Sequence, residues 1–316
     1  MHHKTVSATI VVAVILTAVS IGAQSDKGNQ LMAQARKAMG GDQKLAAVKA
    51  LSLRATYQRE MGMPGMAGGG RATIDMNGGP AGGAGNSQVT GEIEVDVELP
   101  NKYIKVDTST GFMAMTRTEG FEGDRPFADA VAANPGMRIR IDRPGDDPAR
   151  AKQALQRSQA ELARLLLGVL GSTQASFPVT YTHAGIAEAA DGRADIIDVK
   201  GPENFAARLF LDTQTHLPLM LTYVAPEPRM VIATADRRAP NEATERERLE
   251  AERKQAEAIP PKMIEYRLFF SDYRDVGSLS LPHRISRGTA EKTTEEWEVK
   301  SYRINPALKP DRFKVS

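Results

Sequence analysis

The chain has 316 residues, 41% of them hydrophobic and 25% charged, a composition that supplies one large or two medium domains with a real core and excludes a wholly disordered polymer. Its 41 Lys and Arg against 39 Asp and Glu leave a formal charge of +2, too thin a surplus for the basic surface that nucleic acid selects, so no nucleic-acid partner is expected. There is no cysteine, which removes disulfides, thiolate metal sites, a cysteine nucleophile and the lipid-modified cysteine of a lipoprotein together.

The first segment reads as an export signal. His2, His3 and Lys4 form a polar start, and Ile10 to Val19 is an apolar run broken only by Thr17, short of the roughly 20 residues that span a bilayer. Cleavage is expected after Ala23, which leaves residues 24–316 as a single periplasmic domain that is not a lipoprotein. From Asp26 the spacing of Leu31, Ala35, Ala38 and Met39 predicts a helix ended by Gly40-Gly41, with a second short helix at Gln43 to Val48. Leu51, Leu53, Ala55 and Tyr57 then alternate with polar residues, the period of a half-buried strand.

Residues 61–91 hold 11 of the 27 glycines and read as a Gly/Met-rich loop excursion with one short strand at Arg71 to Met76. The cleanest alternation follows: Ile93, Val95, Val97 and Leu99 on one face, Glu92, Glu94, Asp96 and Glu98 on the other. Carboxylates about 7 Å apart along a strand are too widely spaced to clamp one cation, so this face is expected to be solvated and to discourage edge pairing. Further strands are expected at Lys102 to Asp107, Met113 to Thr118 and Met137 to Asp142, with a turn at Gly120 to Asp124. Asp146-Asp147-Pro148 is a helix start, and the helix it opens runs to about Leu170. Its last turns, including Leu165 and Leu166, are apolar nearly all round and must be buried or touch something greasy.

Seven or eight strands are expected between Phe177 and the C-terminus, near 177–183, 194–200, 206–212, 217–224, 229–235, 262–273, 281–288 and 293–302. They are interrupted by a charged insertion at 241–258 with six glutamates, four basic residues and Leu249 as its one large apolar side chain. No βαβ alternation occurs. The fold class is α+β, mainly β: one strongly curved antiparallel sheet with helices on its concave side, because such a sheet cannot fill its own hollow.

Several short segments point to a family. Leu209-Phe210-Leu211-Asp212 followed by Thr215-His216-Leu217-Pro218-Leu219, then Phe270-Ser271-Asp272-Tyr273-Arg274-Asp275 with Leu281-Pro282-His283-Arg284-Ile285, and finally Tyr302 to Pro306 with Asp311 to Val315, resemble successive hairpins and the tail of the LolA-like superfamily. Ala38-Met39-Gly40-Gly41 through Leu51 is similar to the helix and first strand of exported members. The resemblance covers the chain ends, 205–225 and 262–315; residues 60–200 agree only in general pattern. It implies an incomplete, half-open barrel of about eleven strands lidded by helices around an apolar cavity, in proteins that carry lipoproteins or lipids across the periplasm or sense them.

No catalytic motif stands out. After the export signal His183, His216 and His283 each stand alone, without His-Glu-x-x-His, Gly-x-Ser-x-Gly or phosphate-loop spacing, so no enzyme activity and no cofactor are expected. Met61, Met63 and Met66 could offer thioethers to Cu(I), or simply rim an apolar cavity. Strand parity puts Val95, Val97, Leu209, Leu211, Leu219, Leu221, Ile264, Tyr266, Leu268, Phe270 and Trp297 on one face, and with Leu165 and Leu166 these are the candidates for a lipid cavity. The leading expectation is a monomeric, non-catalytic carrier for lipid or lipoprotein acyl chains. A second reading is an envelope sensor or scaffold that meets a protein partner through 241–258 and the 92–98 face. A third is a copper-binding or hydrolytic protein.

Overall fold

A computed structural model describes residues 21–61, 87–110, 114–132, 147–190, 192–227 and 262–314, together with Arg248, Ala251 and Pro260. The elements defined among the described residues are three helices, α1 (Ile21–Ala38), α2 (Asp42–Ala46) and α3 (Pro148–Leu170), and twelve strands. In chain order these are β1 (Ala50–Met61), β2 (Ser87–Glu98), β3 (Lys102–Ser109), β4 (Met115–Glu122), β5 (Arg125–Ala132), β6 (Thr180–Ala189), β7 (Gly192–Lys200), β8 (Ala206–Asp212), β9 (Pro218–Pro226), β10 (Met263–Val276), β11 (Leu279–Gly288) and β12 (Thr293–Ile304). All pair antiparallel in one sheet of order β5-β4-β3-β2-β1-β12-β11-β10-β9-β8-β7-β6, with β5 and β6 as its two edges. This is the open sheet with helices that the alternation predicts and that the resemblance to the LolA-like superfamily implied.

α3 shows that the sheet is curved. Glu161 pairs with Lys105 on β3, whereas Arg164, one turn further on, lies against Tyr223 on β9. β3 and β9 are six places apart in the strand order, roughly 29 Å in a flat sheet. Side chains rising from one helical turn cannot span that distance, so the sheet wraps around the helix. Asp147 caps α3, its carboxylate accepting from the Ala149 and Arg150 amides at 2.9 and 3.4 Å, and Gly171 ends it with φ 62° in the left-handed region. Leu162 to Leu170, apart from Arg164, is buried. Gly168 permits the close approach: a Cβ there would sit 2.0 Å from the Phe270 ring of β10.

The convex face carries a second, polar layer. Asp96 is 1% exposed and accepts hydrogen bonds from Ser52, from Arg54 at 3.0 and 3.2 Å, and from Arg312 of the C-terminal tail at 2.6 Å. Arg312 also reaches Glu94 at 2.9 Å. The expectation of a fully solvated acidic face is therefore corrected: Glu92 is exposed, but Glu94 and Asp96 are neutralised by two arginines, one delivered from 216 residues away in the chain. Asn305 anchors the same tail, its Oδ1 accepting from the Lys49 and Ala50 amides and its Nδ2 donating to the Ala47 carbonyl.

One local expectation also needs correction. The segment read as a turn at Gly120 to Asp124 is mostly strand: β4 continues to Glu122, only Gly123-Asp124 turn, and β5 follows. Pro126 in β5 is tolerated because the strand lies at the edge. The expected strands at 71–76, 137–142 and 229–235 and most of the 241–258 insertion lie outside the described residues.

Two substitutions test these contacts. Gly168→Ala should destabilise the fold by about 1–3 kcal/mol in denaturant unfolding, as overpacking against a ring that cannot retreat does; a neutral result would mean that α3 stands further from β10. Asp96 is treated through its protonation. Burial alone would raise its carboxyl, but the hydrogen bonds from Arg54, Ser52 and Arg312 outweigh burial and hold it below the ordinary carboxylate value. Its contribution is thus present above the unfolded-chain value near 3.9 and lost as pH falls through the lower folded value. Asp96→Asn should cost about 1–3 kcal/mol at pH 7 and lose its difference from wild type in strong acid.

Candidate functional site

The concave face begins as hydrophobic core. Leu51, Leu53 and Ala55 of β1, Val95 and Val97 of β2, Leu209 and Leu211 of β8, Leu221 of β9 and Phe270 of β10 are buried in one cluster with Leu165 and Leu166 of α3. Tyr266 is buried, and Ile264, Leu268 and Trp297 are half-buried against the same cluster. Leu219 departs from its expected place. The register slips between Phe210 and Leu211, so that Met220 pairs Phe210 and Pro218 pairs Leu211, and Leu219 at the irregularity is 39% exposed.

Further along the strands the same face turns polar, which parity alone did not anticipate. On β1 the inward series runs Leu51, Leu53, Ala55, Tyr57 and then Arg59; opposite, β12 passes from Val299 through Trp297 to Glu295. Arg59 binds Glu295 at 2.9 Å and Asp107 of β3 at 2.6 Å, while the Trp297 indole N–H donates to Glu295. Nearer α3, Lys105 sits between Glu119 of β4, at 2.6 Å, and Glu161. The Lys105 ammonium, with Arg117 and Arg157 contributing, holds the Glu119 carboxyl down at about 2 against the opposing effect of burial. These partners lie 14 to 236 residues apart in sequence, and each alone looks like an ordinary surface charge.

On β9 and β10 the polar end is aromatic. The rings of Tyr223 and Tyr266, direct cross-strand neighbours, stack with centroids 5.4 Å apart and planes 23° from parallel. The Arg164 guanidinium lies 3.9 Å from the Tyr223 ring centre, and that of Arg287 on β11 lies 4.9 Å from the Tyr266 ring centre. Beside Arg164 opens a cleft of about 560 Å³ between α3, the β7–β8 hairpin and β9.

The histidines do not assemble a site. The His183 ring nitrogen lies 3.2 Å from Asp195 of β7, His283 packs edge-on against Tyr302, and His216 occupies the β8–β9 turn with φ 60°. Among the described residues no three of His, Asp or Glu come together to hold a metal ion. The Met61, Met63 and Met66 side chains lie outside the described residues. No described helix is long and apolar enough to cross a membrane.

The fold and this geometry can be set beside known proteins. No family model and no curated protein matches the sequence. Among solved structures the chain is similar to a LolA superfamily protein from Nitrosomonas europaea, at 8% identity over 91% of this chain and 97% of that one with a TM-score of 0.45. It is also similar to a domain assigned to outer membrane lipoprotein sorting from Vibrio parahaemolyticus, at 8% identity over 92% and 97% with a TM-score of 0.42. A DUF1329 family protein from Desulfovibrio piger aligns at 9% identity over 93% and 97%, TM-score 0.46.

The Lys105 contacts generate a prediction about α3. Lys105→Met removes the ammonium between Glu119 and Glu161, leaving Glu119 only the more exposed Arg117, and should destabilise the protein by about 1–3 kcal/mol while speeding amide exchange around Glu161 before the rest of α3. A Lys105→Met/Glu161→Gln double-mutant cycle should show coupling; a coupling energy near zero would mean that the pair does not tie α3 to β3.

Proposed function

We propose that this chain is a non-catalytic periplasmic carrier or binding protein for the acyl chains of lipids or lipoproteins, with α3 as an exchangeable lid. The observation that carries this reading is the packing of α3: an amphipathic helix, apolar through its second half, fills, together with Leu31, Met32 and Ala35 of α1, a hollow sheet face that the strands do not fill themselves.

The magnitudes allow exchange. Leu162, Leu165, Leu166, Val169 and Leu170 contribute about 1.5–3 kcal/mol each when buried, roughly 7–15 kcal/mol together. A sixteen-carbon acyl chain, at about 0.8 kcal/mol per methylene, contributes roughly 12 kcal/mol. Lid and ligand therefore compete for the same face on nearly equal terms, which a reversible carrier requires. The sequence resemblance to the LolA-like superfamily agrees with this reading, and the short apolar run ahead of Ala23 supports a periplasmic location. The scaffold reading is weakened by the internal pairing of Glu94 and Asp96 on one of the two surfaces it invokes.

Two measurements test the proposal. Native mass spectrometry of protein purified gently from its own envelope should show adducts of acyl-chain mass; clean unliganded protein in repeated preparations would count decisively against it. Trp297, the single tryptophan, is half-buried on the concave face, so titration with an acyl-chain ligand should shift its emission, and Leu166→Asp in α3 should alter the apparent affinity at least tenfold.

A further inference from the structure

Among the described residues the concave face holds two guanidinium groups that no carboxylate pairs directly. Asp107 and Glu295 are engaged by Arg59, and Glu119 and Glu161 by Lys105. Among the described residues neither Arg164 nor Arg287 forms a salt bridge or a side-chain hydrogen bond; what they have is aromatic faces, Tyr223 and, further off, Phe205 for Arg164 and Tyr266 for Arg287. The Arg164 Nε is buried with no hydrogen-bond partner at all. Burial, with the Arg287 charge adding to it, presses the Arg164 guanidinium below its ordinary value, whereas burial of Arg287 is outweighed by Tyr223, Glu161 and Glu295, which hold its guanidinium above it. A cation held out of water beside a second cation is costly unless an anion joins them.

Position and shape fit such an anion. Guanidinium planes fixed on Tyr223 and Tyr266 keep their N–H edges free to donate, and planar N–H forks match carboxylate and phosphate oxygens. Arg164 also lines the 560 Å³ cleft, whose rim mixes Lys200 and Arg208 with Asp198, Glu203 and Glu265, so one of the two guanidinium groups meets a space that a small headgroup can enter. The apolar floor of Leu221, Leu209 and Phe270 lies next along the same strands.

We propose that Arg164 and Arg287, held on the Tyr223–Tyr266 pair, form a headgroup subsite that makes this protein selective for acyl ligands bearing a carboxylate or phosphate anion. The inference rests on the acyl-chain reading above and adds the charge of the ligand to it. An acyl chain that displaces only the last turns of α3, Leu165 to Leu170, from the apolar floor would bring its head to Arg287 and to Arg164, still stacked on Tyr223, and the anion would accept from their N–H groups.

The test compares three sixteen-carbon probes by Trp297 fluorescence and calorimetry on the full mature chain: palmitate, palmitoyl lysophosphatidate and neutral monopalmitoylglycerol, each below its micellar concentration. Both anions should bind at least about tenfold tighter than the neutral probe, the scale of one charge-assisted hydrogen-bonded contact. The palmitate and lysophosphatidate arms show whether carboxylate or phosphate suits the subsite better. Arg164→Gln and Arg287→Gln, made singly and checked by circular dichroism, should each reduce the anion preference while leaving monopalmitoylglycerol binding within about twofold. Equal binding of all three probes to the wild-type protein would overturn the headgroup subsite and leave the acyl-chain reading standing. Binding of none of them would overturn both. Because the wild-type comparison needs no variant, a folding defect in either substitution does not rescue the idea.

Discussion

A sheet that curls has one face whose side chains converge and one whose side chains diverge, and twelve strands in a single open sheet leave a hollow that their own residues cannot close. The apolar half of α3 meets that constraint. Its insertion requires the sheet to bend until β3 and β9 both reach the same helical turn, and it requires Gly168 where Phe270 stands. The position of the polar row, the orientation of Arg164 and the cleft beside it all follow from where this helix lies.

The hollow is divided chemically along its length. At the apolar end, burial of leucines and valines dominates; at the other, Arg59, Lys105, Glu119, Asp107 and Glu295 are drawn into pairs because isolated charges could not remain inside the curve. Arg164 and Arg287 depart from that pattern of mutual neutralisation. Aromatic faces hold them in place, but a ring quadrupole offsets only part of the desolvation of a guanidinium, typically less than a carboxylate would. A hollow built only for packing would more economically carry an uncharged residue at either position.

Much of the frame was legible in the sequence because strand alternation and helix caps are local signals. Asp147 with Pro148 marked the start of α3, and Leu51 to Tyr57 and Ile93 to Val97 marked β1 and β2. β5 was not expected, because Pro126 argues against a strand anywhere but at a sheet edge. Leu219 was misplaced by parity because a register slip shifts the count without a local sequence mark. The polar row was invisible for another reason. Arg59 becomes an interior charge only when Asp107 and Glu295 are brought to it from 48 and 236 residues away, and Asp96 becomes buried only when the tail delivers Arg312. Pairings made by tertiary folding leave no periodicity to read.

The two faces of the sheet are held by different means, and that difference decides where movement falls. At the centre of the sheet, β1 and β2 are paired along their whole lengths, backed by the Asp96 cluster and closed by Asn305 and the tail, so opening there would break backbone, ionic and packing contacts at once. α3 has no backbone ladder to the sheet. It is held by apolar contact along Leu165 to Leu170, which an acyl chain can replace, and by the Lys105 pair and the stacking of Arg164, which keep the preceding turn on the sheet. Cooperative units open first where the contacts are side chain only, so the frame should keep its curvature while the helix exchanges. Under the proposed function, the ion pair to β3 and the Arg164 stack keep the helix hinged while its last turns yield, and the two arginines set which headgroup is accepted.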